Sequence, residues 1–353
     1  MCQILGMNCA EKTDFCFSFA GFRQRGGNSD KHTDGWGLAI YEGRALRTFI
    51  DNLPAAESPL AEMVSNYPIK TLNMISHIRY ATQGSACDLA NVHPFQREMW
   101  GIQWCFCHNG DMPKFSNIGD SSGYRMLGKA TDDDIVHTPV GDTDSEAAFC
   151  AILNALNAEF DSPPSLPELY KTIQCLCHEI VAGEEAETIC NILLGCSQYT
   201  LFAFSWPGAR PGSDVWNGLY YTIRQPPFTT AELIDMNYSV DFSEVTTTTD
   251  RVAVITTKPL TKNERWVEMK RGDLLMFDKG LPYSQASDCA FIEKEGRGLS
   301  STYKRKNSHD SNDSISSLES IMVPEEVAML NGTLAGGVDI RVAEMMNRTL
   351  PHH

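Results

Sequence analysis

Seven short β-rich runs surround one pair of helical segments, and this order constrains the fold more than any other property of the chain. The runs are Gly35–Tyr41, Leu72–Arg79, Trp100–Cys107, Asn191–Leu194, Thr200–Ser205, Leu219–Ile223 and Arg251–Thr257. Two helical patterns lie between the third and the fourth. One opens at Thr143-Asp144-Ser145-Glu146, a hydroxyl at the N-cap with a carboxylate three residues on, which is the pattern of a capping box. Phe149, Ile152, Leu153 and Leu156 then recur along one face. The other opens at Ser165-Leu166-Pro167-Glu168, again a capping box, with proline inside the first turn where no N–H is needed. Strands, then a helical pair, then more strands predict an α+β fold with a large antiparallel sheet component. No internal repeat is evident, and no G-x-G-x-x-G or Walker sequence occurs, so a nucleotide-cradling loop is not expected.

Composition excludes several classes of function. The chain has 353 residues and a formal net charge of −16. That balance argues against a nucleic-acid partner, because phosphate contacts need clustered Lys and Arg. The first fifteen residues have neither the basic nor the apolar region of a signal peptide, and no uncharged apolar stretch approaches membrane-spanning length, so a cytoplasmic protein is expected. Twelve cysteines are present without a single C-x-x-C pair. Cys175 and Cys177, two apart on a helical pattern, diverge in direction and cannot chelate one ion together. Cys105 and Cys107 are expected on one strand face, with no second pair to complete a site. No metal or cofactor is expected, and every cysteine but Cys2 is read as a small buried hydrophobe. After residue 283 the texture changes. Gly298–Ser320 is rich in Ser, Asn, Asp and Lys, a composition expected to be disordered, while Pro324–Met346 regains apolar residues and suits one short helix. Two regions are therefore expected, a folded domain over 2–283 and a C-terminal extension over 284–353.

The chemistry begins at the second residue. Removal of Met1 leaves Cys2 with a thiol and a free α-amine on one residue. That amine has an ordinary pKa of about 7.7–8.0, so it can serve as a local base toward the thiol without a separate histidine. Four further segments carry polar residues at strand ends and turns. Arg23-Gln24-Arg25-Gly26-Gly27 precedes His32-Thr33-Asp34-Gly35-Trp36-Gly37, glycine-rich loop signals leading into a strand. Ser76-His77-Ile78-Arg79-Tyr80-Ala81-Thr82-Gln83-Gly84 ends a strand in an arginine, which is either a surface residue or a bidentate clamp for a carboxylate. Trp100–Cys107 runs into His108-Asn109-Gly110, either a hairpin entry or an oxyanion hole built from an amide side chain and a glycine N–H. Thr143-Asp144-Ser145-Glu146 is the fourth.

Taken together, Cys2, Arg25-Gly26, Arg79-Tyr80-Ala81-Thr82-x-Gly84, His108-Asn109-Gly110 and Thr143-Asp144-Ser145-Glu146 resemble, in order and rough spacing, the class II glutamine amidotransferase domains. The resemblance covers about residues 2–283 and is nearest to the YafJ-like stand-alone type, on stretches such as MCQILGMN, TDFCFSF, DGWG, NVHPF, TDSEAAFC and TTKPLTKNERW. It implies the N-terminal-nucleophile hydrolase fold, a four-layer αββα sandwich of two antiparallel sheets between helices.

The same resemblance implies a role for each motif. Cys2 attacks a glutamine-type side-chain amide to form a γ-glutamyl thioester, and its own amine shuttles the proton. Asn109 and Gly110 stabilise the oxyanion. Arg79, with Thr82 beside it, holds the substrate α-carboxylate, Asp144 takes the α-ammonium, and Arg25 and Gly26 support the nucleophile. The expected substrate is a small molecule, glutamine or a γ-glutamyl compound, resolved to glutamate by water. Two alternatives stand beside this reading. One is a non-catalytic module that binds a glutamine-like ligand; the other is a subunit that passes ammonia to a separate acceptor protein.

Overall fold

The structure, a computed structural model, describes residues 2–81, 88–116 and 126–283. Its principal elements in chain order are β1 (Gln3–Asp14), α1 (Cys16–Arg23), β2 (Trp36–Glu42), β3 (Ala45–Asp51), α2 (Pro59–Ser65), β4 (Lys70–Ile78), β5 (Phe95–Met99), β6 (Ile102–Asp111), α3 (Asp144–Glu159), α4 (Leu166–Val181), β7 (Ile189–Cys196), β8 (Thr200–Trp206) and β9 (Tyr220–Arg224). Two later strands, Val252–Thr256 and Asp273–Asp278, complete the main ladders. The C-terminal extension, 284–353, lies outside the described residues.

All seven expected β runs are strands, and they divide between two antiparallel sheets. In the first, β1 pairs with β4 on one side and with Val252–Thr256 on the other; β2 and β3 extend beyond β4, and β9 beyond Val252–Thr256. The second runs β5, β6, β7, β8, Asp273–Asp278. Period-two alternation explains how the sheets stack. On β1, Leu5, Met7 and Cys9 pack toward α1 and α2, whereas Ile4 points into the layer between the sheets with Ile75, Cys105, Cys107, Leu193 and Leu201. Gly6 lies where the sheets come closest, and a Cβ there would sit 2.9 Å from Leu193 Cδ1. The outer face of the second sheet packs on α3 and α4 through Phe106, Phe149, Ile152, Leu156, Leu169 and Ile173. The result is the expected four-layer αββα sandwich.

Both helix starts are found, with one difference. Ser165 and Glu168 form the full reciprocal box. Thr143 accepts from the Glu146 N–H at 3.2 Å, but the Glu146 carboxylate turns away to Arg97 (2.5 Å) and to the Gly141 N–H (2.8 Å), so only half of that box forms. Cys105 and Cys107 are buried on one face as expected, while Cys175 is exposed, an exception to the buried reading. Among the described residues no helix is long and apolar enough to cross a membrane.

Candidate active site

Cys2 enters the first sheet immediately before β1 and lies partly buried against the far end of β4. Gln3 is in register with Ile78, so the two residues beyond Ile78 reach the thiol. The Tyr80 N–H points at Cys2 Sγ (3.3 Å), and the thiol faces the Tyr80 carbonyl (3.6 Å). Burial pushes the thiol above its ordinary pKa; the Tyr80 N–H and the positive charges of Arg79 and Arg210 act in the opposite direction. On balance burial prevails, and the thiol is held protonated in this environment.

The β4 end is itself fixed by the preceding loop. Gly35 O accepts the Arg79 N–H (2.8 Å), Asp34 N–H reaches Arg79 O (3.3 Å), and the Asp34 carboxylate accepts the Ala81 N–H (2.7 Å). Gly35 has φ of +105°, and a Cβ there would meet Asp51 O at 2.9 Å, which explains the glycine of the Asp34-Gly35-Trp36-Gly37 motif. Arg79 is 4% exposed, so the charge is held inside the site and is not on the surface. Thr82 and Met1 lie outside the described residues.

The second sheet supplies the facing side. Asn109 and Gly110 lie within β6, paired with Asn191 and Cys190 of β7, so the hairpin alternative for Asn-Gly does not hold. The Asn109 Nδ2 donates to the Cys2 backbone carbonyl, which ties the two sheets together at Cys2 and leaves the second amide hydrogen for another acceptor. At Gly110 a Cβ would come within 1.6 Å of Ile189 O, so the ladder admits only glycine.

Asp144 opens α3 and accepts the Met112 N–H through Oδ2 (2.8 Å), which anchors it two residues beyond Gly110. Its other oxygen, Oδ1, faces Ser145 Oγ at 3.1 Å. Arg25 does not reach Cys2. Its guanidinium, 1% exposed, donates to Asp235 (2.9 Å), Lys258 O (2.8 Å), Pro259 O (2.5 Å) and Gln3 Oε1 (3.4 Å), so it braces the residue after Cys2. Gly26 passes so close to Ala55 that a Cβ would sit 2.6 Å from Ala55 Cβ.

Several residues of the site lie outside the sequence motifs. Asn191, fully buried on β7, donates to Asn109 Oδ1 (3.4 Å) and accepts from Ser205 Oγ (3.0 Å), which orients the Asn109 amide. Its only sequence signal is an amide inside the apolar run Ile189–Cys196, and a buried amide there needs partners. Asp111 and Arg210 form a bidentate pair next to Gly110 (Nε to Oδ2, 2.5 Å), and hydrogen bonding to Asp111 raises the Arg210 pKa. His77 and His93 stack at 4.1 Å beneath this end of the sheets, both held well below the ordinary histidine value by burial.

Comparison with known proteins agrees with this geometry. The family model described as "Glutamine amidotransferases class-II" matches residues 1–298. A Haemophilus influenzae protein is 40% identical over 280 residues, covering 79% of this chain and 85% of its own length, and the Escherichia coli (strain K12) protein YafJ is 37% identical over 281 residues, covering 79% and 98%. Both are named provisionally as glutamine amidotransferases. A crystal structure from Pseudomonas aeruginosa PA01, of a protein predicted to be a glutamine amidotransferase, superposes with a TM-score of 0.56 at 31% identity over 80% of this chain and all of that one. The chain belongs to the class II glutamine amidotransferases.

Proposed function

We propose that the protein is a γ-glutamyl amidohydrolase with Cys2 as its nucleophile. In this reading the α-amine exposed by Met1 removal takes the thiol proton as sulfur adds to the γ-carbonyl. The C–N bond then breaks, the proton goes to the departing ammonia or amine, and a γ-glutamyl thioester remains. Water adds to the thioester, releasing glutamate and restoring the thiol. Asn109 and Gly110 carry the oxyanion in both tetrahedral steps; Arg79 and Thr82 take the α-carboxylate, and Asp144 the α-ammonium. Arg25 and Gly26 brace the nucleophile from behind. A free amino-acid head group has one charge of each sign, and the buried Arg79 and the helix-start Asp144 offer the two opposite charges.

The observation that carries this reading is the meeting of Cys2 and Asn109 across the two sheets, with Gly110 next to it in a ladder that admits no side chain. A module that only binds ligand has no use for a nucleophile joined to an oxyanion donor. The catalytic unit in this reading ends near residue 283. The test is a screen of γ-glutamyl compounds with mass-spectrometric detection of glutamate and of the released amine. The reading expects the two products in equal amounts and neither from the Cys2→Ala protein; glutamate released undiminished by Cys2→Ala contradicts it.

A further inference from the structure

Behind the Asn109–Gly110 strand lies a buried network in which acceptors outnumber protons. His108 Nε2 is 3.1 Å from the Ile189 carbonyl, which can only accept, so Nε2 carries a proton in every state that keeps this bond. In the neutral ring Nδ1 is then a lone pair, 2.9 Å from Ser145 Oγ. Ser145 has one hydroxyl proton and two acceptors in reach, His108 Nδ1 and Asp144 Oδ1 at 3.1 Å. Given to Asp144, the proton would leave two lone pairs facing each other between residues that are 2% and 4% exposed. Given to His108, it leaves Asp144 Oδ1 open, while Oδ2 keeps the Met112 N–H.

We propose that His108 and Ser145 are positioning residues for the substrate's α-ammonium group: His108 draws the single Ser145 proton away from Asp144, which leaves Oδ1 as the acceptor for that ammonium. This rests on the proposed role of Asp144. Protonation of His108 reverses the arrangement, because Nδ1–H then donates to Ser145 Oγ and the hydroxyl turns to Asp144 Oδ1. The His108 proton and the substrate ammonium compete for one oxygen, and by linkage each weakens the other. The groups facing His108 set where this happens. Burial acts most strongly and lowers its pKa; Asp144, the Ile189 carbonyl and Asp111 pull the other way, and Arg210 adds to the lowering. His77 of β4 and His93, before β5, are themselves buried and uncharged near neutral pH. The open state of Asp144 is therefore the one present at neutral pH.

The test measures equilibrium binding of a γ-glutamyl substrate to full-length Cys2→Ala protein from pH 8 to pH 5, so that chemistry is silent. Affinity is expected to fall below the His108 inflection, approaching about tenfold per pH unit where one proton competes with one ligand. Adding Ser145→Ala should flatten that limb, and Ser145→Thr should restore it. An unchanged acid limb in the Ser145→Ala protein overturns the coupling. If Ser145→Ala does not fold, histidine 15N shifts of the Cys2→Ala protein, with His108 identified by its loss in His108→Gln, decide the matter. The expected pattern is the Nε2–H neutral tautomer at pH 7.5 and an imidazolium at acid pH that substrate removes; an Nδ1–H tautomer, or no response to substrate, overturns the proposal. A substrate lacking the α-amino group separates the two failures. Equal binding of that analogue removes the ammonium role of Asp144 and the coupling with it, whereas weakened binding with an unchanged acid limb removes the coupling alone.

Discussion

The middle of the inter-sheet layer and one of its ends differ sharply, although the same strands build both. In the middle β1, β4, β6 and β7 contribute Ile4, Ile75, Cys105, Cys107 and Leu193 to an apolar layer. At the end, the same four strands lead to Cys2, His77, Arg79, His108, Asn109 and Asn191, most of them almost fully buried. Antiparallel pairing makes this segregation possible: the chain enters β1 and β7 at the polar end and leaves β4 and β6 there. The apolar middle needs only close packing. At the polar end the Tyr80 N–H and the Asn109 amide both meet Cys2, while His77 and His93 are buried as stacked neutral rings. Stability and the proposed activity are thus separable along single strands.

The largest expected effects lie at the two extremes of this contrast. Cys2→Ala should lower turnover by about 10⁴-fold or more with the thermal midpoint nearly unchanged. Leu193→Ala, in the apolar middle, should do the reverse and cost about 2–5 kcal/mol of stability while specific activity of the folded fraction persists. Parallel rate and melting measurements on both proteins check this, and a large stability loss in Cys2→Ala would break the separation. Next in size, Asn109→Ala should lose about 2.7–4 kcal/mol of transition-state stabilisation. Asn191→Ala, which releases the Asn109 amide together with Ser205 Oγ and the Asn217 carbonyl, should lose up to about 10²-fold in kcat. An Asn191→Ala protein with normal kcat would show that the amide needs no orientation.

Substrate recognition comes after catalysis in size. Asp144→Asn should raise KM by about 10- to 100-fold, the worth of a charge-assisted hydrogen bond of about 1.5–3 kcal/mol, with a smaller change in kcat. A lower melting temperature with KM unchanged would make Asp144 a helix-start residue only. The smallest expected effect is the acid lability of the polar end. His77 and His93 are held neutral in the fold by burial, while unfolded they titrate near 6.5. The unfolded chain then binds more protons below that pH, so stability falls as pH drops through the ordinary histidine range, by at most about 1.4 kcal/mol per unit for each ring. Chemical denaturation at pH 7.5, 6.5 and 5.5 should show this slope, and His93→Phe should make it shallower; a slope unchanged by that substitution would assign it elsewhere.

Much of this was legible in the sequence because it was periodic or punctuated. All seven β runs and both central helices follow from alternation and from the caps at Thr143 and Ser165. β1 was not read as a strand, since Gly6 interrupts the alternation of Leu5, Met7 and Cys9; its place in the first sheet comes from pairing on both sides. The site was legible where it sat at strand ends beside glycine, as with Arg79 and Asn109-Gly110. Asn191, Ser205 and the Asp111–Arg210 pair were not, because their meaning depends on which strand lies alongside. Glu146 shows the limit from the other direction: the local pattern gave a capping partner, and the tertiary contact with Arg97 claimed its carboxylate.

The central claim is that one cysteine among twelve, placed second in the chain, is the nucleophile. It is tested most directly by treating active full-length protein with an electrophilic glutamine analogue and reading the adduct by intact mass and peptide mapping. The account predicts an N-terminus that begins at Cys2, one adduct on that residue alone, and loss of γ-glutamyl hydrolysis in proportion to labelling. Met1 retained in fully active protein, or inactivation that tracks labelling of any other cysteine, would contradict it.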